Sequence, residues 1–306
     1  MEALNRLATE LVDEAIDFAD ELGIALHHLE NEAVVLDFGV EAPGGLEAGL
    51  LLAQLRTGGL ASVETRLGAL DGSPRPVVEV ATDHPALALL ASQRAGWRLP
   101  GGAGWGSGPA QLLREDDPAL PAGHEETFDF AVLVVESTRL PDADLAATVA
   151  GEIGVPAAGT FLPTAPAASL AGATALAAGA AEVGVHRLTR LGYDPADVVA
   201  ARGRAPVPPV GRDEPTALAR ANDALAYGSR VHLVVAEPVE DAEALPFEAT
   251  DAAGDSFETL LAAADGDLAA LEDVFAPAVV TVDVLDGTTV THGHADEARL
   301  AAAWGA

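Results

Sequence analysis

The sequence contains neither cysteine nor lysine. Without cysteine, the chain can form no disulfide bond and can carry out no thiolate chemistry. Without lysine, all 16 basic residues are arginines, and they face 48 acidic residues, which gives a formal net charge of −32. A nucleic-acid-binding protein needs a basic surface, and an anionic membrane would repel this chain. We therefore expect neither nucleic acid nor a membrane as a partner.

The acidic excess indicates a habitat rather than a function. Dispersed carboxylates, no lysine and abundant alanine are typical of proteins that work in concentrated salt. At molar salt the Debye length is about 3 Å, so that repulsion among the carboxylates is screened. We expect a salt-adapted protein.

We expect neither a signal peptide nor a membrane-spanning segment. The first 22 residues are acidic and amphipathic, without the basic start and apolar stretch of a signal peptide. The apolar stretch Ala165–Val185 has the roughly 20 residues that a membrane span needs. Alanine and glycine dominate it, however, and Glu182 lies within it. We expect a cytoplasmic protein without a membrane span.

The same stretch is the first candidate for a functional site, because Glu182 is its only charged residue. We predict one helix over Ala165–Leu191, with Ser169 able to cap its start and Gly192 after its end. Its small residues would let other backbones or a flat ligand approach closely. A partly desolvated carboxylate has a raised pKa, which suits proton transfer near neutral pH. Glu182 could equally be a surface residue in the last turn of a buried helix.

Hydrophobic periodicity and turn residues predict helices and strands in mixed order. An amphipathic helix is expected over residues 4–22, with Phe18 on its apolar face and Gly23 at its end. Further helices are expected at Leu46 onward, Thr82–Ala95, Pro141–Ile153 and Phe257–Ala264. Strands are expected at Ala33–Val40, Leu60–Thr65, Pro76–Ala81, Phe130–Glu136, Gly159–Leu162 and Arg230–Ala236. Leu60–Thr65 and Pro76–Ala81 are expected to form a hairpin around Asp71-Gly72, and a second hairpin is expected around Asp286-Gly287.

This mixture lacks strict βαβ alternation and favours an α+β fold. The polar, acidic segment Leu112–Phe128 is the best candidate for a boundary between an N-terminal part, 1–120, and a C-terminal part, 121–306, which could interleave. A basic, proline-rich loop is expected over residues 201–215, carrying Arg202, Arg204 and Arg212. Those arginines could bind an anion, or they could form salt bridges.

Common catalytic motifs are missing. The glycine-rich passage 96–110 matches neither nucleotide-binding fingerprint, and no serine-hydrolase G-x-S-x-G motif occurs. His292 and His294 would need further ligands to hold a metal. We expect no metal and no cofactor.

Eight segments, in order along nearly the whole chain, resemble methenyltetrahydromethanopterin cyclohydrolases. They are VEAPGGLEAGL, TDHPALALLASQRAGWR, GSGPA, ASLAG, EVGVHRLTRLGYDP, APVPPVG, NDALAYGS and FAPAVVTV. The resemblance implies a homotrimer whose subunits have two α/β parts with a substrate pocket between them. It also implies reversible hydrolysis of the methenyl bridge of a reduced pterin to the 5-formyl compound, without a metal.

The resemblance also assigns residues. Glu182 falls at the position of the family's catalytic glutamate, and Arg94 replaces a family lysine with its charge kept. Ser169, Asn222, Asp223 and Arg204 are expected to bind the substrate.

Three positions depart from the family pattern, and each has lost a polar side chain. The family commonly has arginine at 179, glutamine at 175 and threonine at 167, where this chain has Gly179, Ala175 and Ala167. Arg94 or Arg204 could replace the missing arginine. The resemblance suggests that haloarchaea use folates where methanogens use methanopterin. We therefore expect a substrate based on either tetrahydromethanopterin or tetrahydrofolate. The alternative is a pterin-binding protein that has lost turnover.

Overall fold

A computed structural model describes residues 3–114, 124 and 126–305. These residues form nine α-helices, α1–α9: Leu4–Asp17, Ala19–Leu22, Leu46–Arg56, Ala143–Ile153, Leu170–Ala177, Ala180–Arg190, Glu214–Asp223, Phe257–Ala263 and Glu297–Trp304. They also form thirteen strands, β1–β13: Ala25–His28, Val34–Asp37, Ser62–Leu70, Ser73–Thr82, Trp97–Arg98, Trp105–Ser107, Ala131–Val132, Val134–Glu136, Thr160–Ala165, Val198–Pro206, Arg230–Val235, Val279–Val284 and Thr289–Gly293. The fold is α+β, as predicted.

The chain divides into two compact units that interleave in sequence. The first contains residues 1–61 and 86–175, and the second contains residues 62–85 and 176–306. The predicted boundary between residues 120 and 121 lies outside the described residues.

The first unit is built on a mixed sheet in the order β1-β2-β9-β8-β6-β5, with β7 also paired to β9. β2, β7 and β8 run parallel to β9, and β1 is antiparallel to β2. Its core contains Val35, Leu133, Leu162 and Val149 of α4, which are all buried. All four residues of β2 are buried, as expected for a strand covered on both faces.

The second unit is built on a six-stranded sheet in the order β13-β12-β11-β10-β4-β3. β11 and β12 are parallel and all other neighbours are antiparallel. The two predicted hairpins are confirmed. Asp71 and Gly72 turn β3 into β4 with positive φ angles of 46° and 77°, and β12 and β13 pair around Asp286-Gly287.

Three predicted elements need correction. The first helix ends at Asp17, and Phe18, predicted to be on the apolar face, is 52% exposed. The segment Thr82–Ala95 is not an ordinary helix from its start, because β4 continues through Thr82 and a π-helical turn follows at Ala86–Gln93. The prediction of a basic loop over residues 201–215 is wrong in its first half, because residues 198–206 form β10 in the middle of the second sheet.

Among the described residues, none of the helices is both long enough and apolar enough to cross a bilayer.

Candidate active site

The segment around Glu182 is a strand followed by two helices, not the single helix that was predicted. β9 continues to Ala165, α5 begins at Leu170, and a turn at Ala178-Gly179 separates α5 from α6. Gly179 has φ −71° and ψ −4°, and its N–H donates to the carbonyl of Leu176 at 3.0 Å. The break falls beside Gly179, and glycine is about 1 kcal/mol less favourable in a helix than the alanines around it.

Glu182 therefore lies in the first turn of α6 and not in the last turn of a long helix. Its side chain is half-buried. It turns back along the helix, so that its Oε2 lies 3.9 Å from the place where a Cβ on Gly179 would be. The positive end of the helix dipole stabilises a negative charge at this position. This effect acts against the cost of desolvating the carboxylate that the sequence suggested. The proton-transfer role remains a prediction.

Small residues bring α6 unusually close to the second sheet, as the sequence predicted. A Cβ on Gly203 of β10 would lie 2.8 Å from backbone atoms of Ala180 and Ala181. A Cβ on Gly184 would lie 2.6 Å from Val231, which is the register partner of Gly203 on β11. Both glycines are thus required by close packing, and they place the first turn of α6, with Glu182, over the middle of the sheet.

Arg204 lies on the other face of this sheet. Successive side chains of a strand point to opposite faces, and Gly203 faces α6, so that Arg202 and Arg204 both point away from it. Arg204 is 52% exposed at its side chain and lies 3.9 Å from Glu79. The structure therefore does not bring Arg204 to Glu182, and we do not retain Arg204 as the replacement for the missing arginine.

Ser169 caps α5. Its Oγ accepts from the N–H of Gly172 at 3.0 Å and donates to the carbonyl of Pro166 at 2.9 Å. A Cβ on Gly39 would lie 2.7 Å from this Oγ, so that only glycine lets the loop after β2 pass beside it. Ser169 is 8% exposed. Its hydroxyl serves the helix start, and its predicted contact with substrate remains a prediction.

Asp37 holds that loop and was not singled out from sequence. It is fully buried, and its two carboxylate oxygens accept from four consecutive N–H groups, those of residues 39–42, at 2.6–2.9 Å. Charge-assisted bonds to backbone donors are among the stronger hydrogen bonds. They define the path of the chain beside Ser169. An acidic residue at the end of a wholly apolar strand is the signal that could have revealed it.

Asn222 and Asp223 end α7 and point to different partners. Asn222 is half-buried and donates from Nδ2 to the carbonyl of Leu218 at 2.9 Å. Asp223 is 2% exposed and accepts from the N–H of Phe257, the first residue of α8, at 2.8 Å. Burial raises the pKa of Asp223 to about 6, although the bond from Phe257 lowers it. Asp223 thus anchors the start of α8, and its predicted contact with substrate remains a prediction.

Arg94 belongs to the first unit, where a buried polar network holds its backbone. Gln111 donates from Nε2 to the carbonyls of Ser92 and Arg94 at 3.0 and 2.9 Å. Arg56, only 9% exposed, donates to Ser107 and to the carbonyl of Gln93. The side chain of Arg94 is half-buried. Sequence reasoning missed Gln111 and Arg56, although Gln111 directly follows the GSGPA segment.

Within the described ranges, no group of three or more histidine, aspartate or glutamate side chains is arranged to hold a metal ion. His294 pairs instead with Glu248.

Comparison with known proteins decides the family. The family profile described as Cyclohydrolase (MCH) matches residues 3–304. A protein of Halobacterium salinarum named methenyltetrahydromethanopterin cyclohydrolase is 47% identical, over 100% of this chain and 99% of its own length. Proteins of the same name from Methanocella arvoryzae and Methanospirillum hungatei are 36% and 33% identical, over 96% and 95% of this chain and 95% of their own lengths.

The chain belongs to the methenyltetrahydromethanopterin cyclohydrolase family. The resemblance seen in the sequence is confirmed, and the relatives include a haloarchaeal protein. Since the match extends over both compact units, neither is an addition to the family's architecture.

Proposed function

We propose that this chain is a cyclohydrolase that reversibly hydrolyses the methenyl bridge of a 5,10-methenyl-tetrahydropterin to the 5-formyl compound. One observation carries the proposal: the chain is 47% identical, over its full length, to a relative named for this reaction. Glu182 supports it, because it is a half-buried carboxylate in a segment of small apolar residues. The expected role in one-carbon metabolism belongs to the same proposal.

The reaction needs one group that can both accept and donate a proton. The bridging carbon of the substrate lies between two nitrogens that share a positive charge, so it is already electrophilic. Glu182 would take a proton from water while the water oxygen bonds to that carbon. It would then return that proton to the departing nitrogen as the carbon–nitrogen bond breaks. The remaining hydroxyl proton passes to solvent as the carbon–oxygen double bond forms, which leaves the formyl group on the other nitrogen. A single positioned carboxylate can serve both steps, and no step requires a metal or a cofactor.

The position of Gly179 favours a second candidate function. An arginine three residues before Glu182 would share its helix face, and a Cβ there would lie 3.9 Å from the Glu182 carboxylate. This chain lacks that arginine, so a pterin-binding protein with reduced turnover is the alternative. Loss of the methenyl absorbance on mixing with substrate in concentrated salt distinguishes catalysis from binding alone.

The substrate class and the assembly are part of the proposal. Ala167 and Ala175, which replace polar residues of the family pattern, are 1% and 2% exposed. The loss of polar groups supports a substrate other than that of the methanogen relatives, and we favour methenyltetrahydrofolate. The family resemblance supports a homotrimer.

The decisive experiment replaces Glu182 by glutamine. Glu182→Gln keeps the shape and the hydrogen-bonding head but removes proton transfer, so turnover should fall by roughly 100-fold or more, while pterin binding is kept. Glu214→Gln is the matched control, because Glu214 is also a half-buried glutamate in the first turn of a helix in the same unit. Near-normal turnover of a well-folded Glu182→Gln would reject Glu182 as the acid and base.

A further inference from the structure

Three arginines form a cluster on the face of the second sheet that points away from α6. Arg202 and Arg204 stand two residues apart on β10, and Arg230 of β11 lies directly opposite Arg204. All three are exposed. Directly opposite residues of an antiparallel pair have Cβ atoms about 4.5–5.5 Å apart, and like charges there destabilise the sheet. Arg202, Arg204 and Arg230 together form the arginine cluster.

The cluster is short of carboxylates although the chain has three acidic residues for each arginine. Within the part of the chain that the structure describes, Arg202, Arg230 and Arg139 are the arginines whose side chains have no hydrogen-bond, ion-pair or aromatic partner. Two of these three are therefore close neighbours on one sheet face.

The acidic groups nearest to the cluster have other partners. Glu79 lies 3.9 Å from Arg204 but also 3.3 Å from Arg66, so that its one charge serves two guanidinium groups. His232, the register partner of Arg202, is bonded to Asp283 at 2.7 Å, and Asp283 also accepts from Thr289 at 2.6 Å. Neither carboxylate neutralises Arg202 or Arg230.

We propose that the arginine cluster is a binding site for oxyanions, either phosphate or carboxylate groups. Guanidinium groups bind such anions through two parallel N–H···O bonds, and neighbouring side chains such as Ala81 and Ala200 are small enough to leave room for a ligand. The site is distinct from that of Glu182, because the sheet lies between the cluster and α6. The inference therefore does not rest on the proposed cyclohydrolase reaction.

The anion has two possible sources with the same chemistry. One is a free anion or the anionic end of a small molecule. The other is the carboxylates of a second copy of this chain, whose net charge of −32 is complementary to the cluster. In the first case the site is open in the isolated protein, and in the second it is filled on assembly.

The test compares the double variant Arg202→Gln/Arg230→Gln with the control Arg190→Gln/Arg212→Gln. Both remove two charges from exposed side chains of the second unit, but Arg190 and Arg212 are paired with carboxylates that the cluster does not share. The probe is inorganic phosphate, followed by the width of its phosphorus NMR line at an ionic strength held constant with chloride. A free-anion site predicts binding by the wild type and the control, and a loss of about tenfold or more in affinity in the cluster variant.

Light scattering on the same samples identifies the second source. If a second copy fills the site, phosphate will not bind to the wild type, and the cluster variant will have a smaller particle mass than the wild type and the control. The proposal is overturned if neither phosphate affinity nor particle mass differs between the cluster variant and the control. Circular dichroism of each variant establishes that its fold is kept.

Discussion

Asp223 should lower the free energy of unfolding as the pH rises from about 4 to about 7. Asp223→Asn should remove this contribution to the pH dependence of stability. The carboxyl is 2% exposed and has the Phe257 N–H as its hydrogen-bond donor. The charge of Glu258 opposes ionisation of Asp223, and that of Arg299 favours it. Burial dominates, so that the pKa rises from 3.8 to about 6.

The sign follows from proton binding. Between pH 3.8 and about 6 the folded state holds the proton on Asp223 more tightly than the unfolded state does. The stabilisation is therefore complete below the unfolded pKa and is lost as the pH rises through the folded pKa. A difference of about two pKa units corresponds to about 3 kcal/mol at 1.36 kcal/mol per unit. Asparagine cannot ionise, and its side-chain oxygen can still accept from Phe257.

The assay is urea unfolding of the wild type and the variant at a series of pH values in constant salt. The free energy of unfolding of Asp223→Asn minus that of the wild type should rise by up to about 3 kcal/mol between pH 4 and pH 7. A difference that stays constant over this range would refute the reasoning, because Asp223 would then titrate equally in the folded and unfolded states.

Asp213→Asn is the control with the opposite sign. Asp213 caps the start of α7 by accepting from the Thr216 N–H at 2.9 Å, and the bonds from Thr216 lower its pKa. Its stabilisation is present above the unfolded pKa and is lost only as the pH falls toward the lower folded value. The Asp213→Asn difference should therefore stay nearly constant between about pH 4 and pH 7, where the Asp223→Asn difference changes most.

Three further predictions concern activity and salt. Gly179→Arg should raise turnover, measured by loss of methenyl absorbance, because the new side chain would lie beside Glu182; an unchanged rate would mean that another group already fills this role. Folding and activity should require salt on the order of molar, where repulsion is screened; full activity with an unchanged melting temperature in dilute buffer would contradict this. Methenyltetrahydrofolate should be hydrolysed at least as well as the methanopterin analogue; a preference of about tenfold or more in kcat/KM for the latter, or about 1.4 kcal/mol, would rule out the folate proposal.

Local sequence predicted those parts of the fold whose signals are local. Asp71, Gly72 and Gly287 supply the positive φ angles that the two hairpin turns need, and alternating apolar residues define the strands beside them. α3 begins at Leu46 as predicted, after the flexible Gly44-Gly45 pair, and Gly58 and Gly59 follow its end with positive φ. In each case the residues that decide the structure are neighbours in the chain.

Strand β10 shows where such signals fail. Its ARGRAP segment has the small residues, arginines and proline of a loop, but it pairs with β4 and β11 on either side. Gly203 is favoured there because α6 lies against it, and that helix comes from an earlier part of the chain. A long-range packing requirement thus outweighed the low strand propensity of glycine, which local pattern analysis cannot detect.

The residues of the candidate site show the same difference between local signals and long-range contacts. Glu182 could be selected from sequence because a lone charge in an apolar stretch is a local contrast. Asp37 and Gln111 could not, since their partners are backbone groups whose positions only the fold defines. Arg204 was selected for its charge, but its position on β10 could not be seen from local sequence. The two-residue alternation of a strand directs its side chain away from α6. Charge and spacing therefore selected Glu182 as a candidate for proton transfer, while the direction in which Arg204 points was decided by the helix that packs against β10.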